Sequence, residues 1–417
     1  MNPAVGTLAS QAAPGTPVAE RITAPRVVSI DIFRGLTMAV MIFVNELSGV
    51  RGLPWWTYHA PARVDVMTYV DMVFPFFLFA IGMSMPLSVA RRLERSSSIA
   101  GLWVHVFTRS VALIVLGTIL ANAEKADPVR MGIRGSTWGL LALLCAMLYL
   151  NVYGKSERVR VYSRVLRALG FVGVIVLLVI FRRTTAAGHA AWLDESYPKI
   201  LGLIGYSYFA SAILYIPTRR WTWAPAIWFA LLVALCAFST AKLIVFPRHL
   251  PLYVWPFSNG AMCCLILGGV VTTTIFLNPG KRLTALHATY LALGFGPVAF
   301  AAGRILTPLG ISKIRATPTW TLYCVGAAVL MFTLLYWVCD VKQWRSWAFF
   351  VRPAGSNTLL TYLLPDLWYF LSAVIGFTWL DTHFNVGWAG VTRTVVFTLL
   401  MLAIAGALTK ARVRLQL

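Results

Sequence analysis

Apolar stretches of about 20 residues recur along this chain, from residue 36 almost to its C-terminus. A helix needs about 20 mainly apolar residues to cross the hydrocarbon core of a bilayer. Only 12% of the 417 residues carry a charge, whereas about a quarter do in an ordinary soluble domain. The pattern therefore predicts an all-α, polytopic integral membrane bundle of about 12 transmembrane helices, within a range of about 10 to 12.

Twelve hydrophobic segments are predicted to span the membrane, with short polar loops between them. Segments 136–153 and 200–217 are the weakest, and removing that pair leaves ten helices without changing the side on which the termini lie. Residues 1–26 are rich in Ala, Pro, Thr and Gly and are predicted to form a disordered cytoplasmic tail, which leaves 27–417 as one transmembrane domain. The predicted spans are 29–50, 70–90, 103–122, 136–153, 166–182, 200–217, 223–245, 260–278, 284–306, 319–339, 356–376 and 388–409.

The basic residues indicate how the bundle is oriented. The formal net charge of +22 would suggest nucleic acid for a soluble protein, but here Lys and Arg lie between the hydrophobic stretches. Alternate loops are richer in Lys and Arg, and the positive-inside rule assigns these loops to the cytoplasm. Both termini are then cytoplasmic, and membrane lipid rather than nucleic acid is the expected partner. The six cysteines lack the paired spacing of a metal site, so no metal is predicted.

Polar groups that chemistry could use are concentrated near the first two predicted helices. Asp31 and Arg34 are three residues apart and share a helix face at the cytoplasmic end. Asn45 lies at the periplasmic end of the first helix, His59 follows in an aromatic loop, and Asp71 opens the second helix. Ionisable and amide groups at membrane depth are costly, so they indicate a functional site by default.

The order and spacing of these residues resemble one family, that of the heparan-alpha-glucosaminide N-acetyltransferases, which are transmembrane acyltransferases. The resemblance is closest to bacterial members and extends over about residues 27 to 376. Later segments fit more loosely: Ile133-Arg134-Gly135, Gly205-Tyr206, the Trp255-to-Asn259 loop, Lys313 ahead of Thr317, and Gly355-Ser356-Asn357. The segments that carry the resemblance best are Ser29-Ile-Asp31-Ile-Phe33-Arg34-Gly35, Val44-Asn45, His59-Ala60 and Asp71-Met-Val-Phe74-Pro75.

The resemblance implies transfer of an acetyl group from cytoplasmic acetyl-coenzyme A to the amine of a glucosamine unit on the periplasmic side. The family's essential histidine corresponds to His59, as a general base or a transient acetyl carrier, and its nearby asparagine corresponds to Asn45. Histidine suits the task because its unperturbed pKa lies near neutrality, and a carboxamide can donate a hydrogen bond to an oxyanion. Trp55 and Trp56 could stack on the sugar ring.

Other candidate site residues have two readings each. Asp71 either caps the second helix or holds His59 in one tautomer. Lys313 lies on the periplasmic side of the predicted topology and is expected to meet the acceptor, while Asn259 and Asn357 are candidates to line its cavity. Three arginines either anchor helices in the lipid interface or bind phosphates of coenzyme A: Arg34, Arg109 and Arg134.

Two other functions fit the same pattern. A bundle of about 12 helices with polar groups near its midplane is also typical of a secondary transporter, here of amino sugars or N-acetylglucosamine. An acyltransferase that acts on a hydroxyl of a cell-envelope glycan is the other alternative. We expect an enzyme in the bacterial inner membrane, with acetyl-coenzyme A as donor and an amino sugar or glycan as acceptor, and we leave a homodimer open.

Overall fold

A computed structural model describes residues 27–96, 98–154, 157–246, 257–276 and 285–416 of this chain. The predicted tail 1–26 and Trp255 lie outside these residues. The described residues contain twelve long helices, which are labelled in chain order. They are α1 Val28–Leu47, α2 Val70–Arg95, α3 Ile99–Asn122, α4 Gly135–Leu150, α5 Glu157–Ile180, α6 Lys199–Thr218, α7 Ala224–Thr240, α8 Ala261–Phe276, α9 Ala285–Ile305, α10 Pro318–Tyr336, α11 Thr358–Ile375 and α12 Gly387–Lys410.

Shorter elements connect the long helices. Three one-turn helices span Pro128–Met131, Arg352–Ser356 and Trp379–His383, and a π-turn at Trp337–Val341 continues α10. Strand β1, Arg183–Thr184, pairs antiparallel with strand β2, Ala190–Ala191, in the loop between α5 and α6. The described part of the chain is therefore almost entirely helical.

The helices confirm the prediction of a polytopic helical membrane protein, since each predicted span coincides with one of them. Within the described residues, nine helices are long and apolar enough to cross a membrane, and α4, α7 and the apolar part of α8 are shorter. Segment 200–217, one of the two weak predictions, is among the nine, whereas segment 136–153 is not. The number of helices that do cross the membrane stays a prediction.

Helix α5 begins earlier than predicted, at Glu157 rather than at residue 166. Its first turns carry Arg160, Arg164 and Arg167, which are good helix formers but not apolar. Hydropathy therefore located the membrane-facing part of this helix and missed its basic start. Farther along α5, Phe171, Val172 and other large apolar side chains are exposed, as expected for a surface that lies against lipid.

Successive helices run in opposite directions, so the bundle has two ends. We call the end where α1 begins the inner end, and the end where α1 finishes the outer end. At the inner end, Asp340 accepts hydrogen bonds from the backbone N–H groups of Val28 and Ser29. At the outer end, Arg393 of α12 pairs with Glu46 of α1 at 2.8 Å. The start of α1 and the finish of α12 thus share the inner end, and its location on the cytoplasmic side stays a prediction.

Glycines allow two of the closest contacts between backbones. A Cβ atom on Gly82 of α2 would lie 1.8 Å from the carbonyl oxygen of Ile266 in α8, so no larger residue fits there. Near the inner end, a Cβ atom on Gly355 would lie 2.0 Å from the carbonyl oxygen of Asp31 in α1. Small residues of this kind let membrane helices pack at short distance, and the second contact ties α1 to the segment that precedes α11.

Candidate active site

The loop between α1 and α2 presents His59 at the outer end of the bundle. Its chain turns through a short 3₁₀ helix, Trp55–Thr57. The Tyr58 hydroxyl donates to the carbonyl oxygen of Val50 at 2.7 Å and lies 3.3 Å from the backbone nitrogen of Leu53. These contacts fasten Tyr58 to the first part of the loop, and His59, which follows it, contacts Asp71 at the start of α2.

Asp71, in the first turn of α2, contacts the imidazole ring of His59. Its buried carboxylate lies with Oδ1 at 2.7 Å from Nδ1 of His59. The other oxygen, Oδ2, accepts from the backbone N–H groups of Ala60 and Thr68 at 3.2 and 3.1 Å. A carboxylate only accepts hydrogen bonds, so Nδ1 of His59 carries the proton and Nε2 is left as the basic nitrogen. Of the two roles predicted for Asp71, this geometry matches the one that holds His59 in a single tautomer.

Lys313 approaches the same histidine from the loop between α9 and α10. Its Nζ lies 3.3 Å from each ring nitrogen of His59. An ion pair between Asp65 and Arg315 joins this loop to the one that carries His59. Burial lowers the pKa of the Lys313 ammonium, and the nearby Asp71 carboxylate opposes that effect. The structure thus brings together three residues that the sequence analysis selected: His59, Asp71 and Lys313.

A cavity of about 470 Å³ opens in the inner half of the bundle. Its lining includes Arg34, Arg91 and Arg109, which makes it strongly basic. The Arg109 guanidinium lies over the ring of Tyr208 at 4.9 Å, and its Nε is buried without a hydrogen-bond partner among the described residues. Arg34 pairs with Asp31 at 3.1 Å. The wall also carries hydroxyl groups and apolar side chains, and guanidinium groups in such a setting are well suited to phosphate groups.

A second cavity, of about 290 Å³, lies in the outer half. Asn45 of α1, Asp366 and Tyr369 of α11, and Lys199 of α6 line it. The Lys199 ammonium donates to the exposed Glu124 carboxylate at 2.9 Å. The Asp366 carboxylate of this cavity stands halfway along α11, at a depth where apolar side chains are the rule, which indicates a binding site.

The two cavities meet at one side chain, that of Tyr362 in α11, which lines both. Both also use one face of each of α1, α6 and α11. We call the two cavities together the conduit. The α1 residues on its wall recur every three or four positions, as one helix face requires: Val27, Ile30, Asp31 and Arg34 in the inner half, then Met38, Met41, Ile42 and Asn45 in the outer half.

Asn45 and His59 lie in different clusters. Asn45 lines the outer cavity, whereas His59 lines neither of the two cavities and faces Asp71 and Lys313. Both residues are at the outer end, Asn45 near the finish of α1 and His59 in the loop that follows it. The prediction that they act at one point stays a prediction.

The predicted arginines and tryptophans lie in different parts of the bundle. Arg34 and Arg109 lie together in the inner cavity, but Arg134 precedes α4 at the outer end and lines neither cavity. Because Arg34 and Arg134 are at opposite ends, they cannot bind the same phosphate groups. Trp55 and Trp56 are exposed on the loop beside His59, and the ring of Trp56 packs against Tyr69 at 6.2 Å.

Two asparagines were predicted to line an acceptor cavity, and the structure assigns them other tasks. Asn357 lies at the inner end, where its amide nitrogen donates to Thr409 and to the carbonyl oxygen of Val413, both at 2.9 Å. Asn259 donates to the carbonyl oxygen of Ala316 and accepts from the N–H of Ala261. Their polar atoms fasten backbone segments and neither residue lines the two cavities described above, so their role in an acceptor cavity stays a prediction.

Asp366 is the residue that the sequence analysis missed. It stands halfway along α11, within the apolar segment Thr358–Ile375. An acidic residue inside a membrane-spanning stretch is a sufficient signal by itself.

The comparisons with known proteins concern the part of the chain that carries these clusters. The family model described as Domain of unknown function (DUF5009) matches residues 26–257. Heparan-alpha-glucosaminide N-acetyltransferase of Homo sapiens is 38% identical over 98 residues, which are 24% of this chain and 14% of that protein. The Mus musculus protein of the same name is 36% identical over 106 residues, 25% of this chain and 15% of its own length. The alignments thus cover a small share of the curated relatives.

Proposed function

The chain belongs to the family described as Domain of unknown function (DUF5009), and from that premise we propose that it is a transmembrane acetyltransferase. The acetyl group passes from acetyl-coenzyme A at the inner, cytoplasmic end to the amine of a glucosamine-type sugar at the outer, periplasmic end. The family description names no activity, so the proposal rests on the conduit. The similarity to two proteins named as N-acetyltransferases supports it.

The conduit is the observation that carries the proposal. A group transferred across a membrane needs a donor site facing one side, an acceptor site facing the other, and contact between them. The inner cavity offers Arg34, Arg91 and Arg109 to the phosphates of coenzyme A. The pantetheine arm extends past Tyr362 toward Asn45, along a wall formed by one face of α1. The unpartnered Nε of Arg109 fits this assignment, because a buried donor without an acceptor is costly until a ligand supplies one.

His59 promotes transfer at the outer end. With Nδ1–H held by Asp71, its Nε2 takes a proton from the acceptor amine as nitrogen attacks the thioester carbonyl. The C–N bond forms, the C–S bond breaks, and the sulfur of coenzyme A receives a proton as it leaves. In the alternative that the sequence leaves open, Nε2 first accepts the acetyl group and then passes it to the amine. Asp71 serves both routes, since it orients the ring and stabilises the imidazolium.

Transfer requires His59 and Asn45 to approach one another. The amide of Asn45 donates to the oxyanion that forms on the thioester carbonyl, while the base comes from the neighbouring loop. Catalytic contacts are often long without substrate and shorten in the complex, and loops commonly close over a bound substrate. Trp55 and Trp56, exposed on this loop, would then cover the sugar.

The test uses the purified full-length protein reconstituted in vesicles. Acetyl-coenzyme A is added outside, glucosamine is trapped inside, and N-acetylglucosamine is measured by mass spectrometry, with His59→Ala as the matched control. We expect product from wild-type molecules that are inserted with the inner end of the bundle facing the outside of the vesicle, where acetyl-coenzyme A is added. Absence of product there, and also in detergent with both substrates on one side, would overturn the proposal. Product from hydroxyl acceptors alone would favour the O-acetyltransferase.

One observation favours a secondary transporter instead. Asp366 lies halfway along α11 in the same conduit, and carboxylates at this depth often bind the coupling proton or cation of a transporter. The same vesicles separate the two functions. Uptake of labelled glucosamine without acetyl-coenzyme A, and without chemical change, would favour transport.

A further inference from the structure

Asp366 differs from the neighbouring acids in that no positive group contacts its carboxylate within the described residues, although the charge of Lys199 acts on it from a distance. Glu46 pairs with Arg393 at 2.8 Å and accepts a hydrogen bond from Tyr369, and Asp71 pairs with His59. No hydrogen bond or ion pair of the Asp366 carboxylate occurs within the described ranges of the chain. A carboxylate at membrane depth without a partner costs several kcal/mol, so it is retained for a ligand that supplies the opposite charge.

The surroundings of Asp366 define what such a ligand must be. The outer cavity has a volume of about 290 Å³, which suits a small molecule rather than a chain. Tyr197, Tyr362 and Tyr369 line its wall, and aromatic faces attract cations as well as the apolar face of a sugar ring. Asn45 adds an amide that can bond a hydroxyl group. A compact, hydroxylated cation fits all of these features.

A competing cation within the protein is Lys199, which lines the same cavity. Its ammonium donates to the Glu124 carboxylate at 2.9 Å. Glu124 follows α3 and belongs to the loops at the outer end of the bundle. Lys199 therefore makes its direct ion pair with Glu124, and its charge reaches Asp366 only from a distance. The carboxylate therefore stays available to a cation that enters from the outer end.

We propose that Asp366 binds the acceptor amine, as its ammonium ion, in the outer cavity. This inference rests on the proposed function and deepens it, since it explains selectivity for an amino sugar over a neutral sugar. A neutral sugar would leave the carboxylate uncompensated, whereas an amino sugar pairs with it. Asp366 is a binding residue in this account: the bound ammonium first releases one proton to solvent at the outer end, and His59 takes the second proton as the free amine attacks.

The test compares binding of glucosamine and glucose to the full-length protein in detergent, without acetyl-coenzyme A. Asp366→Asn keeps the shape of the side chain and removes its charge. We expect glucosamine to bind about 10-fold to 100-fold more weakly to this variant, the range expected for a hydrogen bond to a charged group. Glucose binding should be weak and equal in both proteins. Asp366→Glu should recover part of the affinity for glucosamine.

Glu195→Gln is the matched control, because Glu195 is an exposed acid of the loop before α6 that lines neither cavity. This variant should bind glucosamine as the wild type does. A shift in melting temperature with acetyl-coenzyme A shows that each variant is folded. Equal glucosamine affinity in wild-type and folded Asp366→Asn protein would overturn the inference, as would a wild-type protein that binds no amino sugar.

Failure of the proposed function has a different signature. If the wild-type protein bound glucosamine through Asp366 and formed no acetylated product, the acetyltransferase would be refuted and the ammonium site would stand. If it formed product with an unchanged KM for glucosamine in Asp366→Asn, the enzyme would stand and the ammonium site would be refuted. In the expected result the KM for glucosamine rises while saturating turnover changes little.

Discussion

The imidazole Nδ1 of His59, in the loop after α1, lies 2.7 Å from the carboxylate Oδ1 of Asp71, in the first turn of α2. The contact decides which ring nitrogen is basic. It also ties the aromatic loop to the start of α2, where the N–H of the Trp320 indole holds the Asp71 carbonyl oxygen at 3.1 Å. The outer end of the bundle therefore holds the His59 ring in one tautomer and one orientation.

The first prediction concerns this pair. His59→Ala should lower turnover by at least about 10² to 10⁴-fold, the usual contribution of a general base. Acetyl-coenzyme A should still raise the melting temperature of the variant, because its phosphates bind at the inner end. Asp71→Asn should lower turnover as well, since an amide can donate to Nδ1 and favour the wrong tautomer. Near wild-type turnover in folded His59→Ala protein would refute the role of the histidine.

The second prediction concerns the donor. Arg109→Met should weaken binding of acetyl-coenzyme A by about 10-fold to 100-fold, as expected when one charge-assisted contact to a phosphate is lost. Arg134→Met is its matched control, because Arg134 lines neither cavity. Titration of the melting temperature with acetyl-coenzyme A measures both affinities. Equal weakening by the two substitutions would argue against a donor site in the inner cavity.

The third prediction separates two asparagines with opposite tasks. Asn45→Ala should leave thermal stability unchanged, since its exposed side chain makes no hydrogen bond among the described residues, and should lower turnover by about 10² to 10³-fold. Asn357→Ala should do the reverse. Its loss leaves the Leu415 N–H and the Val413 carbonyl without partners and should destabilise the protein by about 1–3 kcal/mol. Thermal unfolding and turnover, measured on both variants, give the comparison.

The fourth prediction concerns orientation. Cysteine introduced at Ile314, which is exposed beside Lys313, should react with a membrane-impermeant thiol reagent in intact cells. Cysteine at Glu94, exposed at the finish of α2, should react only after the cells are permeabilised. Five of the six native cysteines are buried, and Cys145 is partly buried, so the background should be low. The reverse pattern of labelling would invert the topology and place the basic cavity outside.

Much of the architecture followed from local pattern. Each apolar stretch became a helix because only a helix satisfies its own backbone within lipid, and the pairing of His59 with Asp71 was one of two predicted alternatives. Local pattern did not show that Asn259 and Asn357 fasten backbone segments far away in the chain. Those tasks depend on tertiary contacts with Ala316 and Val413, which spacing along the sequence does not encode.

The conduit was equally hidden from the sequence. Asn45 and Asp366 are separated by most of the chain, and only the packing of α1 beside α11 brings them into one cavity. The inner arginines come from α1, α2 and α3, so no single motif contains them. Sequence reasoning identified single residues of chemical interest. The cavity that relates them depends on which helix faces turn toward each other.

The contact between Gly355 and the Asp31 carbonyl has a mechanical consequence. Together with the Glu46–Arg393 pair at the other end, it clamps α1 against α11 and α12 at two points about the length of the helix apart. The wall formed by α1 and α11 is thus held at both ends. Within the described residues, no such pair of contacts holds α6 to this wall. Widening of the passage at Tyr362 should therefore come from an outward movement of α6 together with α3, while α1 and α11 stay in place.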